Sequence, residues 1–289
     1  MSVSSSPSRR RGFDLARWSI WPAIFTTGLL FAVPLGTMAV VSFWTRVRGK
    51  LEASWTLANY EKFFGRSYLV EALVNSVEVA LLTTVLSILL AYPLAYILAY
   101  RVPPRWQRFV LILAVLPFWT SYVVRSYSWL LLLSENGVIN QTLHSIGLIQ
   151  ETMSLGYNRG ATVLGFVHFF TMLLTLTIYA NLVQISPSYR RAAADLGASQ
   201  LQIFMRVTLP LSMPGIAVGA FLCFVITIGD YITPQILGGN TEMLMPQAIM
   251  LQVSRGANFP MASVMSLSLM VVVTVFYLLI ARYLRMERV

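Results

Sequence analysis

Six apolar runs constrain this chain more than any other feature. They cover residues 20–43, 75–100, 109–133, 160–183, 211–237 and 263–284. A helix needs about 20 apolar residues to cross the hydrocarbon core of a bilayer. Hydrocarbon cannot satisfy backbone N–H and C=O groups, whereas a helix satisfies its own. The runs are continuous and do not alternate, so they predict helices and not barrel strands. Composition agrees: 57% of the 289 residues are hydrophobic and 11% are charged. Soluble domains run at about 45–50% and about 25%. That excludes a soluble enzyme, and the low charge excludes a disordered chain or a coiled coil. The expected fold class is all-α, a polytopic membrane protein with six transmembrane helices.

The net charge of +10 would suggest nucleic acid in a soluble protein. In an apolar chain, basic residues mark cytoplasmic loops instead, and no nucleic-acid partner is expected. With the N-terminus in the cytoplasm, the inner flanks hold Arg9, Arg10, Arg11 and Arg17, then Arg101, Arg105 and Arg108. They continue with Arg190, Arg191 and Arg206, then Arg282, Arg285 and Arg288. The outer flanks hold fewer: Arg46, Arg48, Lys50, Lys62, Arg66, Arg159 and Arg255. Both termini are therefore expected in the cytoplasm. Residues 1–19 read as a flexible basic arm, and 20–289 as one transmembrane domain. Arg9-Arg10-Arg11-Gly12-Phe13 faintly resembles a twin-arginine signal, but the apolar run behind it is too long for a cleaved signal peptide. The outer connection 45–74 reads as short amphipathic helices at the surface. The single cysteine, Cys223, excludes an intrachain disulfide and a multi-cysteine metal site, and it reads as a small buried hydrophobe.

The most specific segment is the inner loop 186–210. Ser186 followed by Pro187 predicts an N-cap with proline in the first turn. Ala192, Ala193 and Ala194 favour helix, and Gly197 can end it in a left-handed turn. Ser199 can cap a second short helix running to Val207, with Pro210 stopping it. From physics alone, a docking surface and a plain connecting hairpin are equally good readings.

The spacing Ala192-Ala193-x-x-x-Gly197-x9-Val207-x-Leu209-Pro210 resembles the coupling-loop motif of ABC importer permeases. That family pattern begins Glu-Ala-Ala and carries Ile before Leu-Pro. Here Arg191 stands at the Glu position and Val207 at the Ile position. Pro117-Phe118-Trp119-Thr120-Ser121, Asn136-Gly137-Val138-Ile139-Asn140, Gly229-Asp230-Tyr231-Ile232-Thr233-Pro234 and Leu237-Gly238-Gly239 resemble the spermidine/putrescine branch. The resemblance covers about residues 20 to 285. It implies a type I permease subunit of a binding-protein-dependent importer in a bacterial cytoplasmic (inner) membrane. Its implied partners are two cytoplasmic ATPases, a second permease subunit (a different chain) and an extracytoplasmic binding protein. It also implies that Arg191, Ala192, Ala193, Ala194, Asp195, Gly197, Leu209 and Pro210 couple the chain to the ATPase. The sequence contains no phosphate-binding Gly-x4-Gly-Lys-[Ser/Thr] loop. ATP and Mg would therefore sit on the partner ATPase, this chain would carry no cofactor or metal, and it is not read as an enzyme.

Three ionisable side chains fall within the expected spans: Glu78, Arg125 and Asp230. A charge in hydrocarbon costs roughly 2.5–3.5 kcal/mol even on lenient insertion scales, so each needs a partner or a wet cavity. All three map to the outer half of the membrane and suit one solute pathway. Two acids and one Arg suit a cationic solute. Asp230 reads as a pathway or gate residue, and Arg125 as half of an ion pair. Trp119, Tyr122 and Tyr231 lie at similar depth, where rings can either line the pathway by cation–π contact or pack helices. His168 reads as a packing or hydrogen-bonding imidazole. Two rivals remain: a secondary transporter using Asp230, Glu78 and Arg125 as a proton relay, and the same importer class for another small charged solute.

Overall fold

The computed structural model describes residues 11–47, 49–151, 153–239 and 242–284. Helix α1 spans Arg11–Ser42. An antiparallel hairpin follows, β1 (Thr45–Val47) against β2 (Lys50–Glu52). Then come α2 (Ala58–Phe64), α3 (Ser67–Tyr100), α4 (Pro104–Val115), α5 (Tyr122–Leu133) and α6 (Val138–Ser145). The chain continues with α7 (Arg159–Leu182), α8 (Pro187–Asp195), α9 (Gln200–Ile203) and α10 (Leu209–Gly229). It closes with α11 (Ile232–Leu237), α12 (Met245–Ser254) and α13 (Phe259–Leu284).

Among the described residues, five helical runs are long and apolar enough to cross a membrane. They are Trp21–Ser42, Ser67–Tyr100, Arg159–Leu182, Gln200–Gly229 and Phe259–Tyr283. The apolar stretch 109–133, expected as one span, is divided between α4 and α5. A 3₁₀ turn, Leu116–Trp119, and an extended Ser121 separate them. Pro117 has no N–H to give to a continuous ladder. The stretch 211–237 is also broken. α10 ends at Gly229, Asp230 is extended (φ −81, ψ 129), and α11 starts afresh. In a continuous helix the Pro234 ring would strike the carbonyl of Asp230, four residues back. In the first turn of a new helix the same proline fits.

Three further boundaries differ from expectation. The basic arm was expected over 1–19; residues 1–10 lie outside the described residues, and α1 is helical from Arg11. Extending a helix that is already nucleated costs little per residue. Pro210 does not stop the loop helix. A π-helical turn, Phe204–Thr208, joins α9 to α10, and Leu209 N–H reaches Phe204 O, five residues back. The wide turn absorbs the proline's missing donor and lets the helix run on. In 45–74 the first element is a hairpin, turning at Gly49 with φ +84. Only α2 there is a short helix.

α3, α7 and α10 form the central bundle. Phe166, Phe170, Leu174, Ile178 and Leu182 recur every fourth residue of α7 and are 0% exposed. That stripe packs on Ala91, Tyr92 and Ala95 of α3 and on Cys223 of α10. Small residues bring the backbones together, as in other membrane bundles. A Cβ on Gly215 would lie 2.6 Å from Asn181 Cβ, and one on Gly219 would lie 2.7 Å from Thr177 Oγ1. Asn181 Cβ is tied directly to the α7 backbone and cannot swing away. Gly215→Val is therefore expected to lower stability by about 1–3 kcal/mol through overpacking. A detergent melting curve matching wild type would refute this reading of the α7–α10 contact. A second apolar cluster caps one end of the bundle, where Phe63 of α2 and Leu69 of α3 meet Met245 of α12 and Met261 and Met265 of α13.

Candidate functional site

At one end of the bundle, the break after α10 builds a polar cluster. The Asp230 side chain caps α11: Oδ1 accepts from Ile232 N–H at 2.9 Å and Oδ2 from Thr233 N–H at 3.1 Å. The Tyr122 hydroxyl, at the first residue of α5, donates to Asp230 Oδ2. Thr233 Oγ1–H in turn donates to the Tyr122 oxygen at 2.6 Å. The Arg125 guanidinium, one turn along α5, lies 4.4 Å from the Phe169 ring centre and 5.4 Å from that of Tyr122. Tyr122 and Phe169 meet edge to face at 5.9 Å. Thus α5, α7 and the α10–α11 break converge on one half-buried carboxylate. Interrupted helices of this kind are where transporters expose polar groups at membrane depth.

Of the other residues expected on a pathway, Tyr231 is half-buried beside Asp230. Trp119 is 86% exposed and shares an apolar groove with Leu111, Ile112 and Leu116. Glu78, read with Arg125 and Asp230 as suiting one pathway, pairs with a third residue. Arg159, the first residue of α7, bridges Glu78 Oε2 at 2.5 Å and Glu242 Oε2 at 3.8 Å. This second cluster ties α3, α7 and the segment before α12 together, with two acids to one Arg. Trp129 Nε1–H donates to His168 Nδ1 at 3.2 Å, linking α5 to α7.

At the opposite end of the bundle lies the loop. Ser186 caps α8, its side chain accepting from Ser188 N–H. Gly197 has φ +80. Its N–H reaches Ala194 O at 2.9 Å, and Ala198 N–H reaches Ala193 O at 3.0 Å. This paired pattern ends helices on a left-handed glycine. Ser199 and Gln202 then form a reciprocal capping box that opens α9. No residue of α8 is buried. Leu196 is 88% exposed and Leu201 is 71% exposed. The loop is anchored through aromatic contacts instead. The Arg190 guanidinium stacks 4.1 Å over Tyr100, at the end of α3. The Tyr100 hydroxyl donates to Leu182 O at 3.1 Å. Phe204, in the π turn, meets Tyr92 and Tyr96 edge to face, each at 5.7 Å. From there a continuous helical run, Gln200–Gly229, leads to Asp230. At 1.5 Å per residue, Pro210 and Asp230 are about 30 Å apart along it.

Sequence reasoning missed Thr233, Phe169, Arg159, Glu242 and the Tyr100 anchor of Arg190. Thr233 carried a local signal, since an Asp three residues before a backbone N–H is a capping arrangement. The others have none, because their partners are far away in the chain.

Residues 91–286 match the family described as binding-protein-dependent transport system inner membrane component. The chain is 30% identical over 269 residues to the spermidine/putrescine transport system permease protein PotB of Haemophilus influenzae, covering 92% of each chain. It is 30% identical over 232 residues to PotB of Escherichia coli K12, covering 80% of this chain and 84% of that one. Its fold matches that in the crystal structure of a bacterial alginate ABC transporter with its pentasaccharide-bound periplasmic protein. There the TM-score is 0.76 at 18% identity, over 96% of this chain and 98% of that one. The chain therefore belongs to the family of inner membrane components of binding-protein-dependent transport systems. It is a multi-pass ABC importer permease, a transport subunit and not an enzyme.

Proposed function

We propose that this permease imports a small cationic solute of the polyamine class, such as spermidine or putrescine, driven by ATP hydrolysis on partner subunits. The substrate class follows the transport systems named for its relatives. In this reading the divided segment 109–133 crosses the membrane as the sixth span, and both termini are cytoplasmic. The complex comprises a second, different permease chain, two ATPases that bind ATP and Mg, and an extracytoplasmic binding protein. This chain contributes no cofactor.

The observation that carries the mechanism is the uninterrupted helical run from the exposed loop to Asp230. ATP binding closes the ATPase pair and displaces α8, the helix holding Arg191, Ala192, Ala193, Ala194 and Asp195. Gly197 sets the angle between α8 and α9. Leu209 and Pro210 carry the displacement into α10, which ends at the carboxylate. There Asp230 offers charge to an ammonium group, and Tyr122 and Tyr231 offer ring faces. Each cation–π contact is worth about 0.5–2 kcal/mol. Arg125 balances the carboxylate when the solute has left, and the exposed Trp119 offers a further ring to the pathway. Glu78 and Glu242, sharing Arg159, leave the outer mouth net negative and attractive to a cation.

The test is purification of the complex in mild detergent and reconstitution with its binding protein. Hydrolysis should rise with spermidine or putrescine and stay at its basal rate with an anionic solute. A chain that transports in proteoliposomes without any ATPase would overturn the reading. Tyr122→Phe keeps the ring against Phe169 but removes the hydroxyl that donates to Asp230. A hydrogen bond to a charged group is worth about 1.5–3 kcal/mol, so uptake should fall by about tenfold with assembly intact. Wild-type uptake kinetics in this variant would separate the hydroxyl from transport.

A further inference from the structure

We infer that the ATPase surface receiving α8 is acidic, and that Arg191 is the residue that reads it. The inference rests on the coupling role proposed above and adds the chemistry of the partner. α8 and the residues after it carry Arg190, Arg191 and Arg206 against one acid, Asp195. The structure divides the work between the two adjacent arginines. Arg190 is half-buried and turned inward, with its guanidinium on the Tyr100 ring at 4.1 Å. It holds the loop to the end of α3.

Arg191 is exposed and makes no ion pair with any described residue. Asp195 stands one turn on, yet no ion pair joins them among the described residues. Arg191 borders a cleft of about 330 Å³ between α8 and α9, together with Pro187, Arg190, Ala194, Gln200 and Ile203. The exposed side chains of Leu196 and Leu201 lie on the same loop. An apolar surface with a charge at its edge is the usual composition of a docking patch. A fixed cation there favours a partner of opposite sign and penalises one of like sign. A guanidinium adds a planar fork of donors suited to a carboxylate.

The experiment is affinity purification of the full complex, carried out with wild type and with Arg191→Lys, Arg191→Gln and Arg191→Glu. The readout is retention of the ATPase that co-purifies with wild type, identified by mass. Arg191→Lys should retain it within about twofold, Arg191→Gln less, and Arg191→Glu should lose about tenfold or more, as reversal of a close interfacial charge pair does. Arg191→Glu retaining as much ATPase as wild type, or more, would overturn the acidic surface. Equal loss in Lys and Glu would also overturn it, because recognition would then follow shape and not charge. Gly197→Asp run in parallel separates this from the parent reading. If Gly197→Asp loses the ATPase while Arg191→Glu keeps it, α8 still docks and only the sign of its partner is wrong. If both keep it and Gly197→Asp also imports solute with the wild-type ratio to ATP hydrolysed, the coupling role itself fails.

Discussion

Asp230→Asn should reduce polyamine uptake by about 10- to 100-fold while leaving the complex assembled. A charge-assisted contact contributes about 1.5–3 kcal/mol, and each 1.4 kcal/mol is tenfold in affinity. Asn is as good a helix cap as Asp: its one side-chain oxygen still serves an N–H group at the start of α11, while the groups now facing its NH2 lose an acceptor along with the charge. The start of α11 should therefore survive. The measurement is uptake of labelled putrescine or spermidine in proteoliposomes, with subunit retention as the control. Unchanged transport kinetics would remove Asp230 from the pathway.

Gly197→Asp should cut coupled uptake by about tenfold or more, by loosening the ATPase or by letting it hydrolyse ATP without transport. In the isolated chain a Cβ on Gly197 meets nothing within 4 Å. The cost to the fold is confined to the left-handed backbone, φ +80, about 1–2 kcal/mol for an ordinary residue and less for Asp. The permease should therefore still insert and purify. What changes is the surface the turn presents to its partner, where a side chain and a negative charge replace bare backbone. The two measurements are the ratio of ATP hydrolysed to solute imported, and the amount of ATPase retained. Wild-type values for both would sink the coupling assignment.

The two variants fail in different ways, because they lie at opposite ends of one helical run about 45 Å long. A loop defect should disturb hydrolysis and transport together. A defect at Asp230 should leave basal hydrolysis intact and abolish its stimulation by solute.

The loop 186–210 was legible in the sequence to within a residue at each cap. Ser186, Pro187, Gly197 and Ser199 act on backbone groups two to five residues away, and such signals need no knowledge of the fold. The effect of Pro210 was not legible. Whether a proline ends a helix or is absorbed depends on the neighbours of the following turn. Here Phe204 is held between Tyr92 and Tyr96 of α3, and the π turn forms around it. Pro117 and Pro234 can each kink or break a helix, but the sequence alone does not place the interruptions at Ser121 and Asp230.

The sequence by itself determined the class of the molecule: an all-α membrane permease with an exposed two-helix loop at 186–210 and ionisable residues within its apolar runs. Apolar length, helix caps and turn residues are properties of contiguous residues, so they survive without coordinates. Only the tertiary structure decided which charges meet. Glu78 joins Arg159 and Glu242, while Asp230 joins Tyr122 and Thr233. Only it decided that Arg190 turns inward onto Tyr100 while Arg191 faces out. Each residue along a helix advances about 100° around the axis and 1.5 Å along it. Two side chains from separate helices therefore meet only at one combination of rotation and axial offset. Packing of the small residues on α3 and α10 against the α7 stripe sets that combination, and no local stretch of sequence contains it.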